Sequence, residues 1–277
     1  MNLTYRTAGE SHGPALFAVI EGLPAGLELA PEDIDNDLAR RQLGYGRGGR
    51  MKIEKDRVQV KTGLRHGRTI GSPLTMEIPN LDWPNWAEDR MAVWEPSSEV
   101  DPITLPRPGH ADLAGMLKYE GDDLRPILER ASARETAARV AAGGVAKAFL
   151  RRYGMQVRSH VVRIGPEEAP RRDDLELADF EGVDESRVRC LDAEASDRMV
   201  AAIKAAGQRH DTLGGIFEVW AFGVLPGLGS HQSGDLRLDG RLGQALLGIQ
   251  AIKGVELGAG FELGTLPGSE AHDEIFH

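Results

Sequence analysis

The sequence predicts a protein of mixed α-helices and β-strands, and three observations support this fold class. Short apolar runs that end at glycine and proline indicate buried strands, and two segments with two-residue alternation indicate half-buried strands. One long segment has apolar residues at helical spacing. With 277 residues and 41% hydrophobic composition, the chain is long enough to bury a substantial core in one or two domains.

The N-terminal part of the chain predicts a strand followed by a helix. The apolar run at residues 15–20 precedes a turn rich in glycine and proline, so we expect a buried strand there. Ile34 and Leu38 then lie four residues apart, as on one face of a helix. The pattern ends at two cationic residues that suit a helix C-terminus, Arg40 and Arg41.

Further strands are predicted in the middle of the chain. Residues 57–61 and 73–78 alternate between apolar and polar side chains, which is typical of a half-buried sheet. Residues 155–164 also have strand character. The segment at 166–185 is dense in acidic residues and prolines, and we expect an exposed loop without a chemical role.

A helix is predicted over residues 132–153, with Gly154 as the residue that ends it. Its apolar face is rich in alanine, and Gly143 and Gly144 would allow another backbone to approach closely. Two glycines in a helix cost roughly 1 kcal/mol each, so a packing role is expected for them. The sequence therefore predicts an inner helix.

Two parts of the chain resemble each other. The segment IFEVWAFGVLPGLG at residues 216–229 is similar to LFAVIEGLPAGL at 16–27, since both combine an apolar strand with a Leu-Pro turn and glycines. A second helix is expected from about Asp239, with Leu242, Leu246 and Ile249 on one face. The pattern is consistent with a duplicated strand-turn-helix unit, although two copies do not prove a duplication.

Composition narrows the classes of partner and compartment. The formal net charge of −10 and a pI near 5.4 argue against a nucleic-acid partner. A single cysteine, Cys190, excludes an internal disulfide and any multi-cysteine metal site, which favours a reducing compartment. With no signal-like N-terminus and no long apolar run, we expect a cytoplasmic protein that does not enter a membrane.

An arginine-rich loop is a candidate anion site. The sequence ARRQLGYGRGGR contains four glycines, which let the backbone approach a ligand, and its guanidinium groups suit phosphate or carboxylate oxygens. The arginines are Arg40, Arg41, Arg47 and Arg50. A solvated basic loop or an RNA-contacting segment would show the same composition.

The start of the predicted long helix is a second candidate. Ser132 and Glu135 have the spacing of a capping box, which would place Ser132 at the N-cap and present the first helical amides to an anion. Arg130 and Arg134 flank this position and add donors. A capped helix with no ligand is the alternative.

Two histidines are candidates for proton transfer. His12 in Ser-His-Gly and His110 in Gly-His-Ala lie between small residues, so their rings are accessible to a ligand, and imidazole titrates near neutral pH. Four other histidines are given no role: His66, His160, His210 and His277. Since there is no His-x-x-x-His pair or evident ligand triad, we expect no metal site.

These motifs together resemble the chorismate synthase family. GESHGPALFAVIEGLPAG, ARRQLGYGRGGRM, PRPGHADLAGMLKY, ERASARETAARVAAG, DTLGG and GIQAIKGVELGAGF follow one another at family-like spacing over almost the entire chain. The resemblance implies an α+β sandwich in which antiparallel sheets enclose a central layer of helices. It also implies a homotetramer.

The resemblance further implies an activity and a set of site residues. The reaction is the 1,4-anti elimination of phosphate from 5-enolpyruvylshikimate 3-phosphate to give chorismate, the last step of the shikimate pathway to the aromatic amino acids, with reduced FMN required. His12, assisted by Ser11, would protonate the departing phosphate, and His110 would control the protonation of the flavin. Carried over by motif, the FMN contacts would be Arg130, Ala131, Ser132, Gln250 and Ala251.

The same mapping assigns five arginines to substrate or NADPH: Arg41, Arg47, Arg50, Arg107 and Arg134. NADPH is expected only if flavin reduction is intrinsic to the chain. The family continues beyond this sequence with a flavin loop and an Arg-x-Asp segment, so we expect residues 1–277 to form one domain shortened at its C-terminus. The alternatives are an inactive fragment that folds and oligomerises without binding flavin, and an RNA-binding protein, against which the acidic charge argues.

Overall fold

The computed structural model describes residues 3–47, 55–86, 90–95 and 99–275. The chain divides into two compact units, Met1–Val224 and Leu225–His277. The described residues of the larger unit form antiparallel sheets of four and three strands, a two-stranded hairpin, and a long helix that contacts both larger sheets.

The first sheet packs together with two helices around the main hydrophobic core of the described residues. Its strands run in the order β1 (Thr4–Ala8), β2 (Ala15–Glu21), β6 (Leu74–Pro79) and β3 (Gln59–Thr62), and all neighbours are antiparallel. Ala18 pairs with Met76 and Ile20 with Leu74, so one face of the two central strands is buried. The strands predicted at 15–20, 57–61 and 73–78 are thus confirmed. A separate two-stranded hairpin is formed by β4 (Leu64–Arg65) and β5 (Arg68–Thr69).

Before the second sheet, the part of the larger unit that the structure describes contains four α-helices. They are α1 (Glu32–Arg41), α2 (Asp112–Tyr119), α3 (Arg125–Arg130) and α4 (Thr136–Arg151). Ile34 and Leu38 are buried on α1, as their spacing predicts, and α1 packs against α4. Helix α4 packs on β2 and also contacts β7 of the second sheet, which confirms the expected inner helix.

The close approach predicted for the two glycines of α4 involves only one of them. A Cβ atom on Gly144 would lie 2.7 Å from the carbonyl oxygen of Asp33 and 3.0 Å from Cα of Ile34, whereas one on Gly143 would meet nothing within 4 Å. Gly144 therefore allows the backbones of α1 and α4 to meet. Gly154, which follows the helix, has a φ of +75°, as expected for a residue that ends a helix.

The long helix starts later than predicted. Ser132 caps a 3-10 turn at Ala133–Glu135, where its Oγ accepts a hydrogen bond from the backbone N–H of Arg134 at 3.3 Å. The α-helical geometry begins at Thr136. The N-cap role of Ser132 is therefore correct, but the first turn is tighter than that of an α-helix.

The second sheet has the order β8, β7, β9 and is antiparallel. Its strands are β7 (Gln156–Ile164), β8 (Glu167–Glu168) and β9 (Gly215–Phe222), and α5 (Ala193–Gln208) packs against β7 and β8. The prediction of a plain exposed loop at 166–185 is wrong in part. That segment contains β8 and two 3-10 turns, and it buries three apolar side chains, Leu175, Phe180 and Val183.

The smaller unit contains α6 (Leu238–Leu247) and α7 (Gly268–Ala271). The predicted helix near Asp239 is confirmed with its start one residue earlier. The strand-turn-helix similarity extends to the backbone, because the paired glycines of the two turns all have positive φ. The values are +87° and +88° at Gly22 and Gly26, and +66° and +93° at Gly223 and Gly227. Among the described residues, no helix is long and apolar enough to cross a membrane.

Candidate active site

A tight turn between β1 and β2 carries the first candidate residues, Ser11 and His12. Gly9 begins this turn with a φ of +99°, and a Cβ atom there would lie 2.3 Å from the carbonyl oxygen of Ala15. Only glycine fits that position. On the opposite side, the side-chain amide of Asn80 donates to the carbonyls of Ser11 at 3.3 Å and Gly13 at 2.8 Å. The turn is therefore fixed from both sides.

His12 lies between a carboxylate and an indole ring. Both oxygens of Glu129 accept hydrogen bonds from it, Oε2 from the backbone N–H at 2.7 Å and Oε1 from the ring Nδ1 at 2.8 Å. The imidazole also stacks on Trp86, with ring centroids 3.9 Å apart and planes inclined by 26°. Glu129 therefore engages the Nδ1 side of the ring, and Trp86 covers one of its faces.

The end of α3 joins the His12 turn to the start of α4. Ser132 Oγ donates to Ser11 Oγ at 3.1 Å, which places the two predicted serines side by side. The Arg130 guanidinium donates to the carbonyl of Gly9 and to both oxygens of Thr7, each at 2.9 Å. Arg130, predicted to contact FMN, thus also holds the backbone that carries His12.

Two of the predicted arginines share one buried carboxylate. Arg134 donates to both oxygens of Asp56 at 2.5 and 2.7 Å, and both side chains are buried. Arg41 approaches the same carboxylate at 3.6 Å, and its guanidinium also donates to Thr136 Oγ1 at 3.0 Å and to the carbonyl of Ala133 at 3.2 Å. The structure therefore brings the arginine loop to the start of α4.

Arg47 lies beyond this cluster on the exposed part of the loop. Its guanidinium donates to the carbonyl of Arg41 at 2.5 Å. Gly46 before it has a φ of +78°, and a Cβ atom there would lie 2.8 Å from Cγ2 of Ile203. Arg50, the other arginine predicted in this loop, lies outside the described residues.

A second histidine site precedes α2. The backbone N–H and the Nε–H of Arg107 both donate to Asp112 Oδ2 at 3.0 Å, and His110 Nδ1 contacts Asp112 Oδ1. Asp112 is 1% exposed. Hydrogen bonds from Arg107, and then from His110, lower the pKa of this carboxyl from its usual 3.8 to about 2 despite its burial. Asp112 therefore holds both predicted site residues as a charged acceptor.

Helices α2 and α3 connect the two histidine sites. They pack together at Gly115, where a Cβ atom would lie 2.6 Å from Cγ2 of Ile127. Glu129 and Arg130, the last two residues of α3, then contact the turn that carries His12. The His110 segment and the His12 turn are thus attached to the same short helix.

The remaining predicted residues lie in other places. Ala131 follows α3 directly, at its C-cap. Gln250 and Ala251 lie in the smaller unit, in the turn after α6. Ala251 has a φ of +67°, which is rare for a residue with a Cβ atom and is a form of backbone strain that clusters at functional sites.

Sequence reasoning gave no role to four residues that shape the site: Asp56, Trp86, Asp112 and Glu129. Asp112 lies two residues after His110 and Glu129 lies directly before Arg130, both inside quoted motifs. An acidic residue so close to a candidate histidine or arginine is the signal that could have identified them. Asp56 and Trp86 are distant in sequence from their partners and carry no local signal. Among the described residues, no cluster of three or more histidine, cysteine or acidic side chains could hold a metal ion.

The geometry defines the class of protein. Two sheets and a central helix form a scaffold that carries a site typical of enzymes, with two histidines that contact carboxylates and a cluster of arginines. The family model for chorismate synthase matches residues 3–277. This chain therefore belongs to the chorismate synthase family.

Individual relatives agree with this assignment. The chain is 56% identical over 281 residues to a chorismate synthase of Streptomyces coelicolor, and 54% identical over 282 residues to one of Chlorobium phaeobacteroides. Each match covers 99% of this chain and 71% of the relative. A solved structure described as a crystal structure of chorismate synthase superimposes with a TM-score of 0.83 at 42% identity, covering 100% of this chain and 75% of that one. The predicted family and α+β fold are confirmed.

Proposed function

We propose that this chain catalyses the 1,4-anti elimination of phosphate from 5-enolpyruvylshikimate 3-phosphate to give chorismate, with reduced FMN as cofactor. The observation that carries the proposal is the junction of the His12 turn with α3 and the start of α4. There a histidine fixed through Nδ1 lies beside a hydroxyl pair and an arginine cluster. Such a group can deliver a proton to a leaving phosphate that cations hold in place.

The arginines suit an anionic substrate. Arg41 and Arg134 both contact the carboxylate of Asp56 near the start of α4, where the helix dipole favours anions. Arg47 lies on the adjoining exposed loop, and Arg107 lies next to His110. We assign five arginines to the phosphate and carboxylates of the substrate: Arg41, Arg47, Arg50, Arg107 and Arg134. Arg134 also supports Arg41, because both contact Asp56.

The residues also fit a flavin in donor chemistry. The Ser11–Ser132 hydroxyl pair and the amides near Ala131 can meet the carbonyl and N–H groups of a flavin's polar edge, while the exposed guanidinium of Arg107 suits its negative charge. Gln250 and Ala251 are assigned to FMN by the family resemblance alone. When bound, reduced FMN supplies electron density to the substrate and is recovered without net oxidation.

Two proton transfers are assigned to this chain's own residues. His12 gives the proton on Nε2 to the departing phosphate, with Ser11 beside it. His110, held against Asp112, keeps a proton near the cofactor's polar edge. In both cases a carboxylate engages Nδ1, and Nε2 of His110 also lies 3.2 Å from Nη2 of Arg107.

The experiment is anaerobic turnover. The chain is mixed with reduced FMN and 5-enolpyruvylshikimate 3-phosphate, and chorismate absorbance and phosphate release are followed together. We expect both products, and a fall in kcat of roughly 100- to 10,000-fold for His12→Ala and for His110→Ala with normal circular dichroism. Near-normal rates would overturn the two assignments. Absence of flavin binding and of turnover would favour an inactive fragment.

The proposal also covers the oligomeric state of the chain, its compartment and the source of reduced flavin. We assign the chain to a cytoplasmic homotetramer, and NADPH to it only if flavin reduction is intrinsic. Sedimentation tests the first assignment. Oxidation of NADPH in the presence of FMN and the chain, compared with FMN alone, tests the last.

A further inference from the structure

We propose that Glu129 is the positioning residue of His12: it holds the ring through Nδ1 and fixes the neutral ring as the Nδ1–H tautomer. The inference deepens the function proposed above, because it takes His12 as the proton donor. It is based on the contacts between Glu129 and His12.

The contact uses both oxygens of one buried carboxylate. Glu129 is 3% exposed, and its Oε2 accepts the backbone N–H of His12 while its Oε1 faces the ring Nδ1. An ionised carboxylate can only accept hydrogen bonds. The ring must therefore carry its proton on Nδ1 whenever it is neutral.

Four further contacts hold the ring and the residues around it. The backbone N–H of Ser11 donates to the carbonyl of Glu129 at 3.1 Å, which ties the turn to the end of α3. Trp86 stacks on the imidazole, and its own Nε1–H donates to Asp82 at 2.9 Å. The Arg90 guanidinium lies 5.3 Å from the Trp86 ring centroid. The imidazole thus has a fixed plane as well as a fixed tautomer.

Replacing the carboxylate by its isosteric amide should reverse the tautomer. In Glu129→Gln the backbone N–H of His12 still requires an acceptor, so the amide oxygen takes that position. The amide nitrogen then faces Nδ1 and donates to it. The neutral ring must then carry its proton on Nε2 and not on Nδ1. Nε2 therefore changes from a hydrogen-bond acceptor to a donor in the neutral ring.

A second histidine-glutamate pair provides a matched control. His160 on β7 contacts Glu218 on β9, but through Nε2 at 3.1 Å, and His160 is also buried. This pair favours the opposite tautomer, Nε2–H. The two histidines should therefore give different nitrogen spectra in one sample.

The experiment is a long-range ¹H–¹⁵N correlation spectrum of the full chain with ¹⁵N-labelled histidine at about pH 8.5, well above the usual imidazole pKa of about 6.5. His12 and His160 are assigned from His12→Asn and His160→Asn. We expect His12 as Nδ1–H in the unaltered chain and as Nε2–H in Glu129→Gln, with no change at His12 in Glu218→Gln. An Nε2–H tautomer in the unaltered chain, or the same tautomer in Glu129→Gln, would overturn the proposal.

Turnover separates this proposal from the proposed function. In Glu129→Gln we expect kcat to fall by about 100-fold or more with KM little changed, since the loss falls on the proton transfer. If the unaltered chain shows no turnover, the proposed function fails, but the tautomer measurement still decides the role of Glu129. Should Glu129→Gln not fold, Glu129→Asp keeps an acceptor-only group. We expect it to keep Nδ1–H, and an Nε2–H ring there would count against the proposal.

Discussion

The guanidinium of Arg134 and the carboxylate of Asp56 form a buried ion pair through two hydrogen bonds, at 2.5 and 2.7 Å. The two residues are 78 positions apart in sequence. This pair attaches the segment before β3 to the start of α4, and Arg41 from the end of α1 approaches the same carboxylate at 3.6 Å. One acidic side chain thus sets the position of two predicted site residues.

Asp56→Asn should destabilise the fold strongly. Removing one charge of a buried ion pair typically costs about 3–5 kcal/mol. Urea unfolding monitored by circular dichroism measures the change. Asp173→Asn is the control, because the Asp173–Arg171 pair is exposed and its loss should change stability little. Equal effects of the two variants would contradict the buried-pair interpretation.

The two neighbouring glycines of α4 should respond to alanine in opposite ways. Gly143→Ala adds a Cβ atom in open space and should stabilise the helix by about 0.5–1 kcal/mol. Gly144→Ala forces a Cβ atom against the backbone of α1 and should destabilise the protein by about 1–3 kcal/mol. Thermal unfolding of both variants measures the difference. Stabilisation of both would show that α1 and α4 are not in close contact.

Asp112 should give stability that depends on pH. Its folded pKa of about 2 lies below the usual 3.8, so folding favours the ionised form. The contribution is complete above about pH 4 and is lost as the pH falls toward 2. We therefore expect Asp112→Asn to lower the urea midpoint most at pH 5 to 7, by an amount that shrinks below about pH 4. A difference that grows in acid would contradict this sign.

Arg47→Ala should weaken substrate binding more than it weakens the fold. Its side chain lies on an exposed loop, and the structure gives it a hydrogen bond to the carbonyl of Arg41. Titration calorimetry with 5-enolpyruvylshikimate 3-phosphate measures the affinity, for which we expect a loss of about 10- to 100-fold, as for a charge-assisted hydrogen bond. Arg198→Ala, on α5, is the control. Unfolding of Arg47→Ala without a binding defect would assign the residue to the scaffold.

Relief of strain at Ala251 offers a test within the smaller unit. Glycine tolerates the φ of +67° without cost, so Ala251→Gly should leave the unit folded and raise its stability slightly, by about 0.5–1 kcal/mol. Thermal unfolding measures this change. A clear loss of stability would show that the Cβ atom of Ala251 makes contacts that outweigh the strain.

Much of the fold followed from local patterns. The strands at β2 and β6 and the helices α1 and α4 carry apolar residues at the period of their own structure, so each could be located from its own residues. Helix α5 and the buried turns at 177–185 were missed. In the latter segment the acidic and proline-rich composition obscures the few apolar residues that pack beneath it.

The cationic residues of the site could be predicted from the sequence, whereas their contacts with carboxylates were harder to predict. His12, His110 and the arginines lie in recognisable motifs. Asp112 and Glu129 lie in the same motifs, but two of the pairings are distant in sequence: Asp56 with Arg134 across 78 positions and Glu129 with His12 across 117. Such partners depend on tertiary packing, which a single sequence does not display.

The central claim is that this chain eliminates phosphate from 5-enolpyruvylshikimate 3-phosphate. A single-turnover mixing experiment with reduced FMN under anaerobic conditions tests it directly. We expect chorismate and phosphate to form in equal amounts, with the flavin still reduced at the end and no chorismate when the flavin is omitted. No chorismate from a folded chain that binds both ligands would contradict the account.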